Sequence, residues 1–296
     1  MNISRDRFDD RTLPAAGSVQ DRSIGAILID QGKLTAEGAE AALQLARARG
    51  CRFGDAATEL GLVTAADLQH ALALQFGYSY LAPGDESLSP ELVTAFEPFQ
   101  RQVEALRAVR TQLMLRWFGE APDRRALAVV SPRRGEGRSF IAANLAIAFA
   151  QLGERTLVVD GDLRQPRQHQ LFRVPDQLGL SSILAGRANA DAVQPVASLP
   201  DLAVLPAGPV PPNPQELLSR PAFGDILAEL ARRFDVILVD TPAAAENADA
   251  GVTALRTRGA MLVSRQNITR LAELRGLALQ LTDSGCTVVG GVINGL

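Results

Sequence analysis

Hydrophobic and polar positions divide the chain into two patterns. From Ala126 to the end, short unbroken apolar runs alternate with longer stretches of helical period: ALAVVS (126–131), TLVVD (156–160), LAVLP (202–206), VILVD (236–240), MLVSR (261–265) and TVVGGVIN (287–294). Continuous β-branched runs separated by helices predict a parallel sheet covered on both faces, an α/β doubly wound domain. Earlier in the chain the pattern is helical and repeats. IGAILIDQGKLTAEGAEAAL (Ile24 to Leu43) superposes on FGDAATELGLVTAADLQHAL (Phe53 to Leu72) at an offset of 29 residues. Gly25 falls on Gly54, Gly32 on Gly61 and Thr35 on Thr64. Each copy predicts a short helix, a glycine stop, a threonine N-cap and a second helix.

Four segments follow. Residues 1–21 are polar and aperiodic, which predicts a disordered tail; 22–82 form a small helical domain; 83–102, rich in Pro, Ser and Gly, predict a linker; and 103–296 form the large domain, opening with a helix over Val103 to Phe118.

Composition narrows the classes of function. With 47% hydrophobic residues the chain can bury a core, and a net charge of −3 gives no nucleic-acid footprint. Cys51 and Cys286 form no CxxC and no disulfide framework, and the N-terminus has no apolar signal-peptide region. The longest apolar stretch, Phe140 to Leu152, carries Asn144 and Gln151 and is too short to span a bilayer. These features predict a cytoplasmic location. Lys33 is the one lysine among 30 basic residues, so arginine stands where lysine is usual throughout the chain.

Candidate chemistry begins after the first apolar run. Ser131-Pro-Arg-Arg-Gly135-Glu136-Gly137-Arg138-Ser139 leads into the helical stretch that starts at Phe140. A glycine loop between strand and helix can turn its amides and the helix N-terminus toward phosphates, and Ser139 can offer a hydroxyl to Mg²⁺. Pro132 and Arg138 depart from GxxxxGK[ST], and an ordinary strand-to-helix turn has the same local pattern. Asp160 and Asp162 close one apolar run and Asp240 another. Such strand ends form the ligand edge of open α/β sheets. His70 and His169 have no partners in sequence that would predict a metal site.

Together these residues resemble the bacterial tyrosine kinases of polysaccharide export, in the P-loop branch that includes MinD/ParA-type ATPases. The resemblance places Walker A at Gly135-Glu136-Gly137-Arg138-Ser139, with Phe140 after it, the A′ motif at Asp160 and Asp162, and Walker B at Asp240-Thr-Pro. It implies ATP and Mg²⁺ as cofactors, Ser139, Asp162 and Asp240 at the metal, Asp160 as proton acceptor, and Asn294 at the adenine edge. Glu104, Arg107 and Arg110 match the family's E-x₂-R-x₂-R helix, which implies a homo-oligomer; the same charges also describe a solvated helix face. The proline-rich stretch from Gly208 to Glu216 resembles a family connection.

Within the family, the exopolysaccharide chain-length-determinant kinases of EpsG type are the most similar. They imply a location at the inner membrane through a separate transmembrane chain-length regulator. The small domain resembles the N-terminal domain of type II secretion and pilus ATPases (the MshE-N type), which implies cyclic di-GMP binding through Arg22, Arg52 and Gln75, or an interaction module. No C-terminal tyrosine cluster is present. Tyr78 and Tyr80, the only tyrosines, are acceptor candidates and equally a capping strand on the helical domain. Arg133 sits where the MinD branch has an extra lysine and is read here as loop solvation. A MinD/ParA-like ATPase and a non-catalytic nucleotide- or cyclic-di-GMP-gated scaffold remain alternatives to the kinase.

Overall fold

In a computed structural model the described residues are 23–75, 80–81, 84–119 and 124–295. The chain divides into two compact units, Met1–Ser79 and Tyr80–Leu296.

The first unit holds α1 (Ile24–Asp30), α2 (Ala36–Arg49), α3 (Phe53–Glu59) and α4 (Ala65–Gln75). The starts of α1 and α3, and of α2 and α4, are separated by the predicted 29 residues. Gly32 and Gly61 end the first helix of each copy at φ 67° and 65°, a conformation that disfavours a side chain. Thr35 Oγ1 accepts from the Gly38 amide at 3.1 Å, and Thr64 Oγ1 accepts from Asp67 N at 3.1 Å. The copies pack crosswise, α1 against α4 and α2 against α3. Ile27, Leu28, Leu34, Ala42, Ala57, Val63 and Ala71 form their buried core. Arg52 is the exposed N-cap of α3 and Gln75 ends α4; Arg22 lies outside the described residues.

The second unit begins earlier than the linker expectation allows. After α5 (Val93–Phe96) and α6 (Arg101–Arg116) come β1 (Ala126–Val130), α7 (Arg138–Ala150), β2 (Thr156–Asp160), α8 (Gln168–Phe172) and α9 (Leu180–Leu184). Then follow β3 (Gln194–Pro195), β4 (Leu202–Leu205), α10 (Pro214–Ser219), α11 (Pro221–Leu230) and β5 (Val236–Asp240). The last elements are α12 (Asp249–Thr257), β6 (Gly259–Arg265), α13 (Leu271–Asp283) and β7 (Thr287–Asn294). The sheet order is β3-β4-β2-β5-β1-β6-β7, parallel except for the short edge strand β3.

Strand alternation assigns the two faces. Leu127, Val129, Val158, Val204 and Leu238 pack with α5 to α8 on one side. Leu157, Val159, Leu205, Ile237 and Val239 meet α9 to α11 on the other, and Ala128, Val130, Ala260 and Leu262 meet α12 and α13. The sheet is therefore covered on both faces, as the unbroken apolar runs require.

Residues 84–100 are a packed part of this unit and not the linker predicted over 83–102. Leu88, Leu92 and Ala95 are buried in its core. Asn144 on α7 accepts from the Thr94 amide at 3.0 Å and donates to the Glu91 carbonyl at 3.1 Å; Gln151 donates to Thr94 O at 3.1 Å. The two polar residues in the long apolar stretch thus hold this segment down. Among the described residues no helix is long and apolar enough to cross a membrane.

Candidate nucleotide site

The glycine loop leaves the carboxyl end of β1 and enters α7 at Arg138. Gly135 and Gly137 adopt φ 76° and 95°. A Cβ on Gly137 would strike the amide of Asn294, which donates to the Glu136 carbonyl at 3.2 Å. Asn294 therefore supports the loop from β7. On its other side a slot of about 330 Å³ is lined by Phe140, Val292, Ile293 and residues of α6.

Side chains inside the loop mostly serve the loop. Glu136 is buried; its carboxylate accepts from the Arg133 amide at 2.7 Å and from the Thr269 hydroxyl. Arg133 turns away to α13, where its Nε donates to Glu273 at 2.6 Å. Arg138 is 8% exposed. Its Nε donates to the Thr241 carbonyl and its Nη1 to the Arg133 carbonyl, each at 2.7 Å, and Nη1 also meets the Ser131 hydroxyl. The segment after β5 is tied to the same loop by Ala244 N to Ser131 O and Ala245 N to Pro132 O, both 3.0 Å.

The three predicted carboxylates stand at neighbouring strand ends in three environments. Asp160 pairs in register with Asp240. Its Oδ2 accepts from the amides of Arg167 and Gln168 at 2.8 Å, and its Oδ1 from Asp162 N at 3.3 Å. Burial pushes its carboxyl well above the usual carboxylate range, and the facing Asp240 adds to the push. Burial raises Asp240 too, against the Ser139 hydroxyl, the Arg138 guanidinium and the Gln168 amide, which lower it. Gln168 Nε2 donates to Asp240 Oδ2 at 2.8 Å. Asp162 is half-buried, and its Oδ1 accepts from Gln165 N at 2.9 Å and Arg164 N at 3.1 Å.

These parts enclose a cavity of about 310 Å³ at the carboxyl edge of the sheet, lined by Gly135, Gly137, Ser139 and Asp162, with Arg134, Arg138, Arg164 and Arg167 around it. Asp160 and Asp240 lie beneath it, outside the lining. The residues fit a hard divalent cation. Asp240 Oδ1 is buried and accepts no hydrogen bond, on a carboxylate beside the Ser139 hydroxyl. One carboxylate and one hydroxyl suit Mg²⁺, an ion that keeps waters and nucleotide oxygens around few protein ligands.

The helix predicted to mediate assembly is divided between surface and core. Glu104 is exposed and Arg107 bonds it at 3.0 Å, whereas Arg110 donates to the Ala148 carbonyl at the end of α7 at 3.0 Å. Tyr80 belongs to this larger unit, and its hydroxyl accepts from Arg107 Nη2 at 2.5 Å. Tyr78 lies outside the described residues. Ser131, Gln168 and Thr241 were missed in sequence, since only tertiary contact makes them partners of Arg138 and Asp240.

A glycine loop at the carboxyl end of a central parallel strand, with acidic ends on the next two strands to one side of it, defines a P-loop nucleotide-binding domain. Residues 125–274 match the family described as cellulose biosynthesis protein BcsQ. The chain is 33% identical over 218 residues to the putative tyrosine-protein kinase CapB of Staphylococcus aureus, covering 72% of this chain and 92% of CapB. Over 206 residues it is 30% identical to the tyrosine-protein kinase wzc of Salmonella typhimurium, covering 70% of this chain but only 28% of wzc. Among solved structures, the kinase domain of the Escherichia coli tyrosine kinase ETK aligns with a TM-score of 0.67 and 29% identity, over 75% of this chain and 86% of that one. MinD of Pyrococcus horikoshii complexed with Mg-ADP aligns with a TM-score of 0.51 and 27% identity, over 57% and 70%. The chain belongs to the bacterial tyrosine-kinase family.

Proposed function

We propose that the protein is an ATP- and Mg²⁺-dependent tyrosine kinase that acts in exopolysaccharide export. The observation that carries this reading is the buried, unpartnered Asp240 Oδ1 beside Ser139 at the mouth of a glycine loop. Mg²⁺ bound there would neutralise phosphate charge and orient the transferred group. The amides of Gly135 to Ser139 cradle phosphates, with α7's positive end behind them. Asp162 is the one strand-end carboxylate that lines the cavity, so it is the group placed to receive the acceptor hydroxyl's proton. Asp160 fixes the turn between β2 and α8 through its three amide bonds, a positioning role in place of the base role its motif suggests. The slot beside Asn294 and Phe140 has room and apolar walls for the adenine.

The family contains kinases as short as CapB and others as long as wzc, where the matched region is 28% of the chain. We infer that the remaining functions come from a separate transmembrane chain-length regulator, which would hold the kinase at the inner membrane from the cytoplasm. Assembly would use the exposed Glu104 together with the half-buried Arg107 bonded to it; Arg110 is bound to α7, so its charge reversal tests the fold as much as assembly. In the small unit, Arg52 and Gln75 are the described residues of the motif through which a ligand such as cyclic di-GMP would bind. Against the MinD/ParA-like alternative, Arg133 is ion-paired to Glu273 and not held out for a partner.

The test is transfer from γ-labelled ATP with Mg²⁺, alone and with cytosolic tails of candidate membrane partners. Label on tyrosine that disappears in Asp240→Asn is the expected result. Tight ATP binding with no label and no phosphate release would leave the gated scaffold as the function.

A further inference from the structure

Four arginines surround the nucleotide cavity, and three are already engaged. Arg164 donates to the buried Asp249 through Nε at 2.7 Å and Nη2 at 3.3 Å. Arg167 holds both carboxylate oxygens of Glu91 at 2.6 and 2.8 Å. Arg138, at the position where P-loops carry lysine, is buried and bonds three oxygens of the protein itself: the Thr241 carbonyl, the Arg133 carbonyl and the Ser131 hydroxyl. Those oxygens lie at the end of β1 and just after β5, so one guanidinium ties the start of the glycine loop to the neighbouring strand end. A lysine ammonium is a compact point charge, whereas the planar guanidinium presents donors in several fixed directions. That geometry suits a brace. Moving Arg138 onto a phosphate would take this donor from the buried Thr241 carbonyl and the Ser131 hydroxyl, while the Arg133 carbonyl would keep the Ser131 hydroxyl, which donates to it at 2.9 Å.

Arg134 differs from all three. It is exposed, lines the cavity, sits directly before Gly135 in the loop, and has no hydrogen bond or ion pair. An unpaired guanidinium on the rim can turn onto an anion without breaking any bond, and its fork matches phosphate oxygens.

We propose that Arg134 supplies the mobile cation for the phosphates of the nucleotide, and that Arg138 is a positioning residue bracing the loop. This deepens the nucleotide reading and rests on it. It also accounts for an arginine at the position where P-loops carry lysine.

Two readouts on the full chain separate the roles: thermal unfolding without nucleotide, and ATP affinity by titration calorimetry. Arg134→Ala is expected to melt with the unaltered protein and to bind ATP about tenfold more weakly, the loss of a charge-assisted bond at a partly solvated site. Arg138→Lys is expected to lower the nucleotide-free melting temperature by about 4 °C or more, with a smaller loss of ATP affinity than Arg134→Ala. If Arg138→Lys does not fold, Ser131→Ala removes one acceptor of the brace and keeps the charge. It should melt lower and bind ATP within threefold of the unaltered protein. ATP affinity within twofold in Arg134→Ala overturns the first half of the proposal. An unchanged melting temperature in Arg138→Lys, or in Ser131→Ala where that variant is used, overturns the second. A wild-type chain that binds no ATP would instead overturn the nucleotide reading, while the melting experiment would still decide whether Arg138 is the brace.

Discussion

The two units bring elements close together with the same residue, glycine, but to admit different neighbours. In the helical unit a Cβ on Gly25 would meet the ring of Phe53 at 3.3 Å, and one on Gly54 would meet Leu68 Cδ2 at 2.5 Å. Both neighbours are the far ends of side chains. In the nucleotide-binding unit a Cβ on Gly161 would meet the Asp240 carbonyl oxygen at 2.6 Å, and one on Gly179 would run into the backbone at Pro206, Ala207 and Gly208. A side chain can change rotamer; a carbonyl in a strand cannot move without taking its ladder with it. The crosswise helical repeat therefore has slack at its closest contacts. At Gly161 and Gly179 the carboxyl edge of the sheet has none, and that rigidity is what a site must have to hold reacting groups in place.

The sharpest way to break this contrast is to put the same methyl group into both units. Gly161→Ala is expected to destabilise by about 3 kcal/mol, because relief requires moving either β5 or the Asp160–Asp162 turn. Gly54→Ala lies inside α3, where alanine gains helix propensity while Leu68 rotates away. Its net effect is expected within about 1 kcal/mol of zero. Denaturant unfolding of the two variants checks the pair, and equal losses would remove the distinction.

The same division between local and long-range causes explains what the sequence revealed. The repeat was legible in full because caps, glycine stops and helix starts are set by neighbours three or four residues away. Strands β1, β2, β4, β5 and β6 were legible because burial on both faces leaves an unbroken apolar run. The two-residue β3 was not, since Gln194 and Pro195 carry no strand pattern. The packed segment before α6 was read as a linker because Pro, Ser and Gly dominate it. Its anchors, Asn144 and Gln151, lie some fifty residues away. At the site, the motif located the phosphate loop and the acidic strand ends. It did not reveal that Arg138 faces inward, that Arg133 reaches Glu273, or that Asp160 is saturated with amides. Those depend on which oxygens the fold brings within reach, a property of no single stretch of sequence.

Carboxylates sharpen the comparison further, because the buried strand ends of the larger unit and a helix cap of the smaller one shift them in opposite directions. Asp160 and Asp240 titrate high, chiefly because burial penalises their charged forms. Between the ordinary aspartate range near pH 4 and their raised range, the folded state holds more protons than the unfolded chain. Their contribution to stability therefore falls as pH rises through that window. Asp240→Asn removes one of the two charges, so it is expected to gain on the unaltered protein as pH increases from about 4 to 8. Denaturation midpoints across that range test this, and a gap that stays constant with pH would show that the pair is not strained by its charge.

The smallest effect belongs to Asp67 at the start of α4. Its carboxylate accepts from the Thr64 amide at 3.1 Å and from the Thr64 hydroxyl at 2.5 Å, with Lys33 at 3.4 Å. The Thr64 hydroxyl holds its carboxyl below the usual range, helped by the Thr64 amide and Lys33 and opposed by slight burial. Here the sign is the reverse: the stabilisation is present above the unfolded value and is lost as pH falls through the folded one. The first copy of the repeat carries Gly38 at the equivalent place, so Thr35 caps α2 without a reciprocal carboxylate. Asp67→Ala is expected to cost about 1 kcal/mol at neutral pH. The gap should close in acid, once the unaltered carboxylate is protonated. A penalty that persists there would mean that Asp67 acts through packing and not through its charge on the helix start, and the two copies would then differ in side-chain contact and not in capping.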